Sequence, residues 1–299
     1  MLARSLPLFL ARCLLTLATL VVLAGTAGAA EIHHRYFNSS DGLRLHYLEA
    51  GSGRDTLIFV PGWLMPAAIF ERQLASLSED FRVLAFDPRS QGLSDLATGS
   101  HAPAIRLRDF DEFLAAAQVN DRYILAGWSL GVLETLDYVA RRQPGNLAGM
   151  ILIDNSIGAG TPPPPRKGGF FDRLADPRRR VAYLTEFCHG LFQSPPPPAM
   201  LDAVLASALR VSPAAAKQLI GQPYPRTYWY ETVTGLSVPV LYAVRPRFSE
   251  QADELAAVKP AELATIRIFE NTGHALFVDA ADEFNAAVSL FSRQALARQ

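Results

Sequence analysis

Ser129 lies in Gly127-Trp128-Ser129-Leu130-Gly131, between an apolar run at 122–126 and a helically patterned segment that begins at Val132. A serine between glycines where a strand turns straight into a helix forms a nucleophile elbow. Small residues are needed on both sides because a Cβ would clash in so tight a reversal. The turn lifts the hydroxyl clear of the sheet and sets the next backbone N–H beside it. The five-residue pattern alone is weak; the strand before it and the helix after it give it weight. Attack on an acyl carbon leaves negative charge on the acyl oxygen, which two preorganised N–H donors stabilise. The N–H of Leu130, directly after the serine, is placed to be one of them.

A serine hydroxyl needs a base. Of the six histidines, only His274 directly follows a late strand, in Asn271-Thr272-Gly273-His274-Ala275-Leu276-Phe277. A loop at the carboxyl end of a parallel strand is where such a sheet places its chemistry. His33, His34 and His46 lie in an opening hairpin, His101 in a polar loop and His189 in an irregular middle stretch. They read as surface or structural residues. No histidine pair has metal-ligand spacing with a carboxylate, so no metal is expected, and a serine nucleophile with a histidine base needs no cofactor.

The elements that must position these residues alternate along the chain. Apolar, β-branched-rich segments at 32–37, 43–49, 56–60, 81–86, 122–126, 149–153, 238–244 and 264–269 read as strands. The first two flank the turn Asn38-Ser39-Ser40-Asp41-Gly42. Helical patterns at 67–78, 104–118, 130–142 and 281–297 fall between the later strands. A hairpin followed by βα repeats predicts an α/β fold: a mostly parallel eight-stranded sheet with helices on both faces. The rhythm breaks after the sixth strand. There, tetraproline runs at 162–165 and 195–198 frame helical patches at 170–174, 181–192 and 200–209. Stiff, extended polyproline suits spacers that hold a helical cap over the sheet's edge. The expected organisation is a leader at 1–30, core at 31–157, cap at 158–237 and core again at 238–299.

Composition narrows the function. Of 299 residues, 49% are hydrophobic and 19% charged, which is globular rather than disordered. A net charge of −1 gives no electrostatic argument for nucleic acid. Arg4 and Arg12 precede an apolar stretch at 13–24 and the small residues Ala27-Gly28-Ala29, the pattern of a cleavable export signal. The protein is therefore expected to be periplasmic or secreted, with an uncleaved membrane anchor as the alternative. Beyond such a leader only Cys188 remains, so no internal disulfide can form. The insertion is basic (Arg166, Lys167, Arg173, Arg178, Arg179, Arg180) and aromatic (Phe170, Phe171, Phe187, Phe192, Tyr224, Tyr228, Trp229). The charges read as a solvated face, with an anionic membrane surface or acidic substrate as the alternative. Most of the aromatics are expected to form the cap's own core, and a few to line an apolar pocket.

From about residue 41 onward the chain resembles the α/β-hydrolase family. Besides the elbow and the His274 loop, Phe86-Asp87-Pro88-Arg89-Ser90-Gln91-Gly92-Leu93-Ser94 resembles the family's turn after the fourth strand, with Ser90-Gln91 departing from the usual pattern. Phe59-Val60-Pro61-Gly62-Trp63 resembles its oxyanion segment, with Pro61 in place of histidine. The resemblance implies Trp63 N–H as the second oxyanion donor. Most relatives carry the triad's aspartate after the seventh strand, where this chain has Phe248. A minority place it after the sixth, which is Asp154. Asp154 is the first choice here, Glu250 the alternative acid and Asp253 a third. Asp87 and Arg89, close enough in sequence to pair near the site, read as structural.

The expected activity is an exported serine hydrolase acting on a small ester with an apolar acyl or alcohol part. Acyl transfer, lactone or carbon–carbon bond hydrolysis, perhydrolysis and a non-catalytic binding protein are rivals on the same fold. The sequence carries no signal for oligomeric state.

Overall fold

The computed structural model describes residues 31–162, 169–221 and 223–298. The expected leader, Arg166, Lys167 and most of the first tetraproline run lie outside them. All eight strands form: β1 (His33–Asn38), β2 (Arg44–Ala50), β3 (Thr56–Val60), β4 (Arg82–Asp87), β5 (Tyr123–Trp128), β6 (Leu147–Ile153), β7 (Val240–Val244) and β8 (Ala264–Ile268). They make one sheet in the order β1-β2-β4-β3-β5-β6-β7-β8. β1, β2 and β4 pair antiparallel and the rest parallel.

Strands buried on both faces read as unbroken apolar runs, and here they supply two cores. Along β3, Leu57 and Phe59 face one core while Ile58 and Val60 face the other. The first core packs under α1 (Glu71–Leu77), which follows a 3-10 turn, and under α11 (Ala281–Leu296). The second packs under α2 (Pro103–Ala116) and α3 (Leu130–Arg142).

Four helices arise that the sequence pattern did not suggest. Two of them, α7 (Pro213–Ile220) and α8 (Arg226–Gly235), continue the insertion after α4 (Phe170–Ala175), α5 (Pro177–His189) and α6 (Pro198–Arg210). The others are α9 (Ser249–Val258) and the short α10 (Leu276–Asp279). Helices α5 to α7 each have proline in the first turn, where its missing N–H costs nothing and its fixed φ favours the start. Ser212 accepts from Ala215 N–H and so caps α7.

The insertion does not fold as one unit over the site. Helix α8 lies against α3: Trp229 and Val233 belong to the second core, and Tyr228 Oη donates to Asp137 at 2.7 Å. Tyr224, Tyr228 and Trp229 stack together there, with ring centroids 4.4–5.4 Å apart, rather than in the cap as expected. The basic run is likewise only partly a solvated face. Arg180 donates to the carbonyl of Leu209 at 2.9 Å and also reaches the carbonyl of Val211, capping the end of α6.

Asp87 and Arg89 are structural, as expected, although they do not pair with each other. Asp87 is buried against His46 Nδ1 at 2.7 Å and accepts from Ala67 and Leu93 N–H. Arg89 is also buried, and it bridges Asp109 and Asp41 at 2.7 and 2.9 Å. The strand end and the turn that follows send the two charges to different neighbours. In each place a buried charge finds its partner.

Candidate active site

Ser129 closes β5 and precedes the first residue of α3. It adopts φ 54°, ψ −118°, a backbone strain of the kind found at functional turns. Its surroundings enforce that geometry. A Cβ on Gly127 would lie 2.3 Å from the carbonyl oxygen of Gly131, and one on Gly131 would lie 2.3 Å from that of Val60. Ser129 N–H donates to Ile153 at 3.0 Å, and its carbonyl accepts from Asn155 Nδ2 at 2.7 Å. Leu130 is the first residue of α3, so its N–H lies among those with no acceptor inside the helix.

His274 Nε2 lies 2.9 Å from Ser129 Oγ, and its Nδ1 lies 2.6 Å from Asp154 Oδ2. The three side chains therefore form one hydrogen-bonded chain from residues 129, 154 and 274. The His274 loop is held from below by Trp128, whose indole N–H donates to the His274 carbonyl at 2.8 Å. It is held from the side by Asp279, which accepts from Gly273 and Gln193 N–H.

Asp154 follows β6, and its side chain is wholly buried. Burial pushes its carboxyl upward. Hydrogen bonding and attraction from His274, with the Arg245 charge and N–H, outweigh that and hold it below the usual carboxylate range. Arg245 contributes twice, through Nε to Oδ2 at 2.7 Å and through its N–H to Oδ1 at 3.1 Å. The other carboxylates considered for this place lie elsewhere. Glu250, on α9, accepts from the N–H and hydroxyl of Thr161 at 3.2 Å each, and Asp253 is exposed on the same helix. Phe248 is buried in a 3-10 turn beside them. The thiol of Cys188 is buried and pushed up to about 12, so it is no competing nucleophile near neutral pH.

Trp63 lies in the loop after β3. The buried Gln91 braces this loop: its Oε1 accepts from Leu64 N–H at 2.8 Å, and its Nε2 donates to the carbonyls of Gly62 and Met65 at 3.3 Å. This is the position where the sequence departs from the family's turn, and the departure supplies the brace. The Trp63 indole N–H donates to Ala216 of α7 at 2.8 Å, tying the loop to the cap. A cavity of about 500 Å³ opens above Ser129 and His274, walled mostly by apolar side chains (Trp63, Met65, Phe187, Leu191 and Ile220), with Arg173 the one charged side chain besides the site residues. Of the insertion's aromatics whose side chains are described, Phe187 lines this wall. Sequence reasoning missed Arg245, Asn155 and Gln91; the Ser90-Gln91 departure was a signal for the last. Among the described residues, no group of three His, Cys, Asp or Glu side chains is placed to hold a metal ion.

Residues 57–287 match the alpha/beta hydrolase family, and the chain belongs to that family. It is a hydrolase of this fold. A stretch of 123 residues is 34% identical to N-formylmaleamate deformylase of Pseudomonas putida, covering 40% of this chain and less than half (44%) of that one. An esterase from Rhodococcus sp. ECU1013 superposes with a TM-score of 0.70 at 26% identity, over 87% of this chain and 98% of that one. A bromoperoxidase from Bacillus anthracis shares the fold with a TM-score of 0.71 at 19% identity, over 87% of this chain and 100% of that one.

Proposed function

We propose that the protein is an exported serine hydrolase of carboxylic esters, working through an acyl-enzyme on Ser129. The observation that carries this reading is the unbroken contact chain Ser129 Oγ–His274–Asp154 at 2.9 and 2.6 Å. His274 Nε2 takes the Ser129 proton as Oγ attacks the ester carbonyl carbon. The developing oxyanion is held by the N–H groups of Leu130 and Trp63. The buried carboxylate of Asp154 keeps Nδ1 protonated and stabilises the imidazolium. His274 then gives its proton to the leaving alkoxide, which departs as the alcohol. Water, deprotonated by the same imidazole, attacks the acyl-enzyme, and Ser129 recovers its proton as the acid leaves. No step calls for a cofactor, and the apolar walls suit an apolar acyl or alcohol group. Export rests on the signal pattern at 1–30.

Nitrophenyl esters of graded acyl length, assayed on protein recovered from periplasm or medium, test activity, pocket size and export together. Short and medium chains are expected to turn over, with kcat/KM falling once the acyl chain outgrows a cavity of about 500 Å³. Turnover of N-formyl amides with none of esters would move the reading to deformylation, the activity named for the Pseudomonas putida relative.

Gln91→Ala removes the side-chain partner of one buried N–H and two carbonyls in the loop that carries Trp63. Each stranded polar group costs about 1–3 kcal/mol. A loosened oxyanion donor is expected to lower kcat roughly 10- to 100-fold. Steady-state kinetics beside a thermal melt checks this: kcat should fall while unfolding stays cooperative.

A further inference from the structure

Beyond the apolar cavity, His274 borders a second space that Ser129 does not touch. This trough, about 510 Å³, shares Arg173, Phe187, Leu191 and His274 with the first and adds Arg245 and Arg247. Three guanidinium groups thus line it, against one carboxylate, Glu186. Each arginine is held in place on one side. Arg173 lies over the Tyr183 ring at 4.6 Å, Arg247 over the Phe248 ring at 4.8 Å, and Arg245 is bonded to Asp154. A guanidinium fixed against a ring or a carboxylate has lost much of its freedom before any ligand arrives, which lowers the cost of binding an anion. Among the described residues, neither Arg173 nor Arg247 lies within ion-pair distance of a carboxylate, so both charges remain available.

The trough shares His274 with the site but not Ser129, so a substrate that reacts at Ser129 reaches it past the imidazole. The leaving oxygen takes its proton from that imidazole, which makes the alcohol part the half assigned to the trough. On this assignment the acyl group falls to the first cavity, which Ser129, Trp63, Met65 and Ile220 line and the trough does not share. On the ester-hydrolase reading above, we propose that the natural substrates are esters whose alcohol part carries an anion, a carboxylate or a phosphate, held by Arg173, Arg247 and the free edge of Arg245.

Matched soluble substrates test this on the whole protein. The acetate ester of 3-hydroxypropanoate is compared with that of 3-hydroxypropanamide, and acetylated glycerol phosphate with acetylated glycerol. Ethyl hydrogen succinate beside ethyl succinamate moves the anion to the acyl side. At low salt the alcohol-side anion is expected to raise kcat/KM about tenfold over its neutral partner, mostly through KM. The preference should shrink as salt screens the charges. Arg173→Gln and Arg247→Gln should each cut the ratio several-fold, and Arg247→Glu should invert it. Equal rates for charged and neutral partners, a preference for the acyl-side anion, or a ratio untouched in all three variants would overturn the proposal. Binding of 3-acetoxypropanoate and its amide to Ser129→Ala, followed by ligand NMR line broadening, reads the same preference without turnover. Failure of every ester to react would count against the ester reading, whereas equal binding of the two ligands would count against the trough.

Discussion

Ser129→Ala is expected to lower kcat on any ester substrate by about 10⁶-fold, to the residual rate that binding and oxyanion contacts alone provide. The fold should survive. The substitution removes one hydroxyl that contacts the partly buried His274 ring, and the backbone bonds to Ile153 and Asn155 remain. Alanine must still adopt φ 54°, as serine does, so the strain of the elbow is unchanged. A burst of nitrophenol in stopped-flow should vanish with steady turnover, because no acyl-enzyme can form. A thermal midpoint close to that of the parent protein would show that the loss is chemical.

Asp154→Asn is expected to cost about 10⁴-fold in kcat with little change in KM. An amide in that place would face His274 Nδ1 with the wrong hydrogen-bond polarity or favour the wrong tautomer, and it could not balance the imidazolium. Glu250→Gln should leave kcat within about twofold, since Glu250 bonds Thr161 and not His274. The pair of variants separates the first two of the three carboxylates that sequence alone left open.

Asp154 also links stability to pH. Its folded value is depressed below the ordinary range near 4, so the group adds stability above that range. The contribution disappears as pH falls through the folded value. Asp154→Asn should therefore flatten the acid side of a plot of melting temperature against pH.

The strands and the nucleophile were legible because each is a local pattern. A parallel strand buried on both faces is a short apolar run, and the elbow is five adjacent residues. Helices α7 to α9 were not. α9 carries several acids and alanines, α7 is short and built largely from small residues, and α8 follows prolines at 223 and 225, so their few buried apolar positions (Leu255, Leu219, and Trp229 with Val233) make a weak signal along the chain. The acid stayed open for a different reason. Choosing between residues 154 and 250 depends on which strand end lies beside the His274 loop, and spacing along one chain does not report that. Arg245 and Gln91 act across 91 and 27 residues respectively. Asp87 and Arg89 were legible as structural, but not their partners: the turn gives each its own.

The claim most open to direct attack is that His274 activates the Ser129 hydroxyl. A fluorophosphonate probe followed by peptide mass spectrometry addresses it without knowledge of the substrate. The parent protein should carry the adduct on Ser129 within minutes, and His274→Ala should label slower by several orders of magnitude at the same melting temperature. No adduct on Ser129 in folded protein, or undiminished labelling without the imidazole, would contradict it.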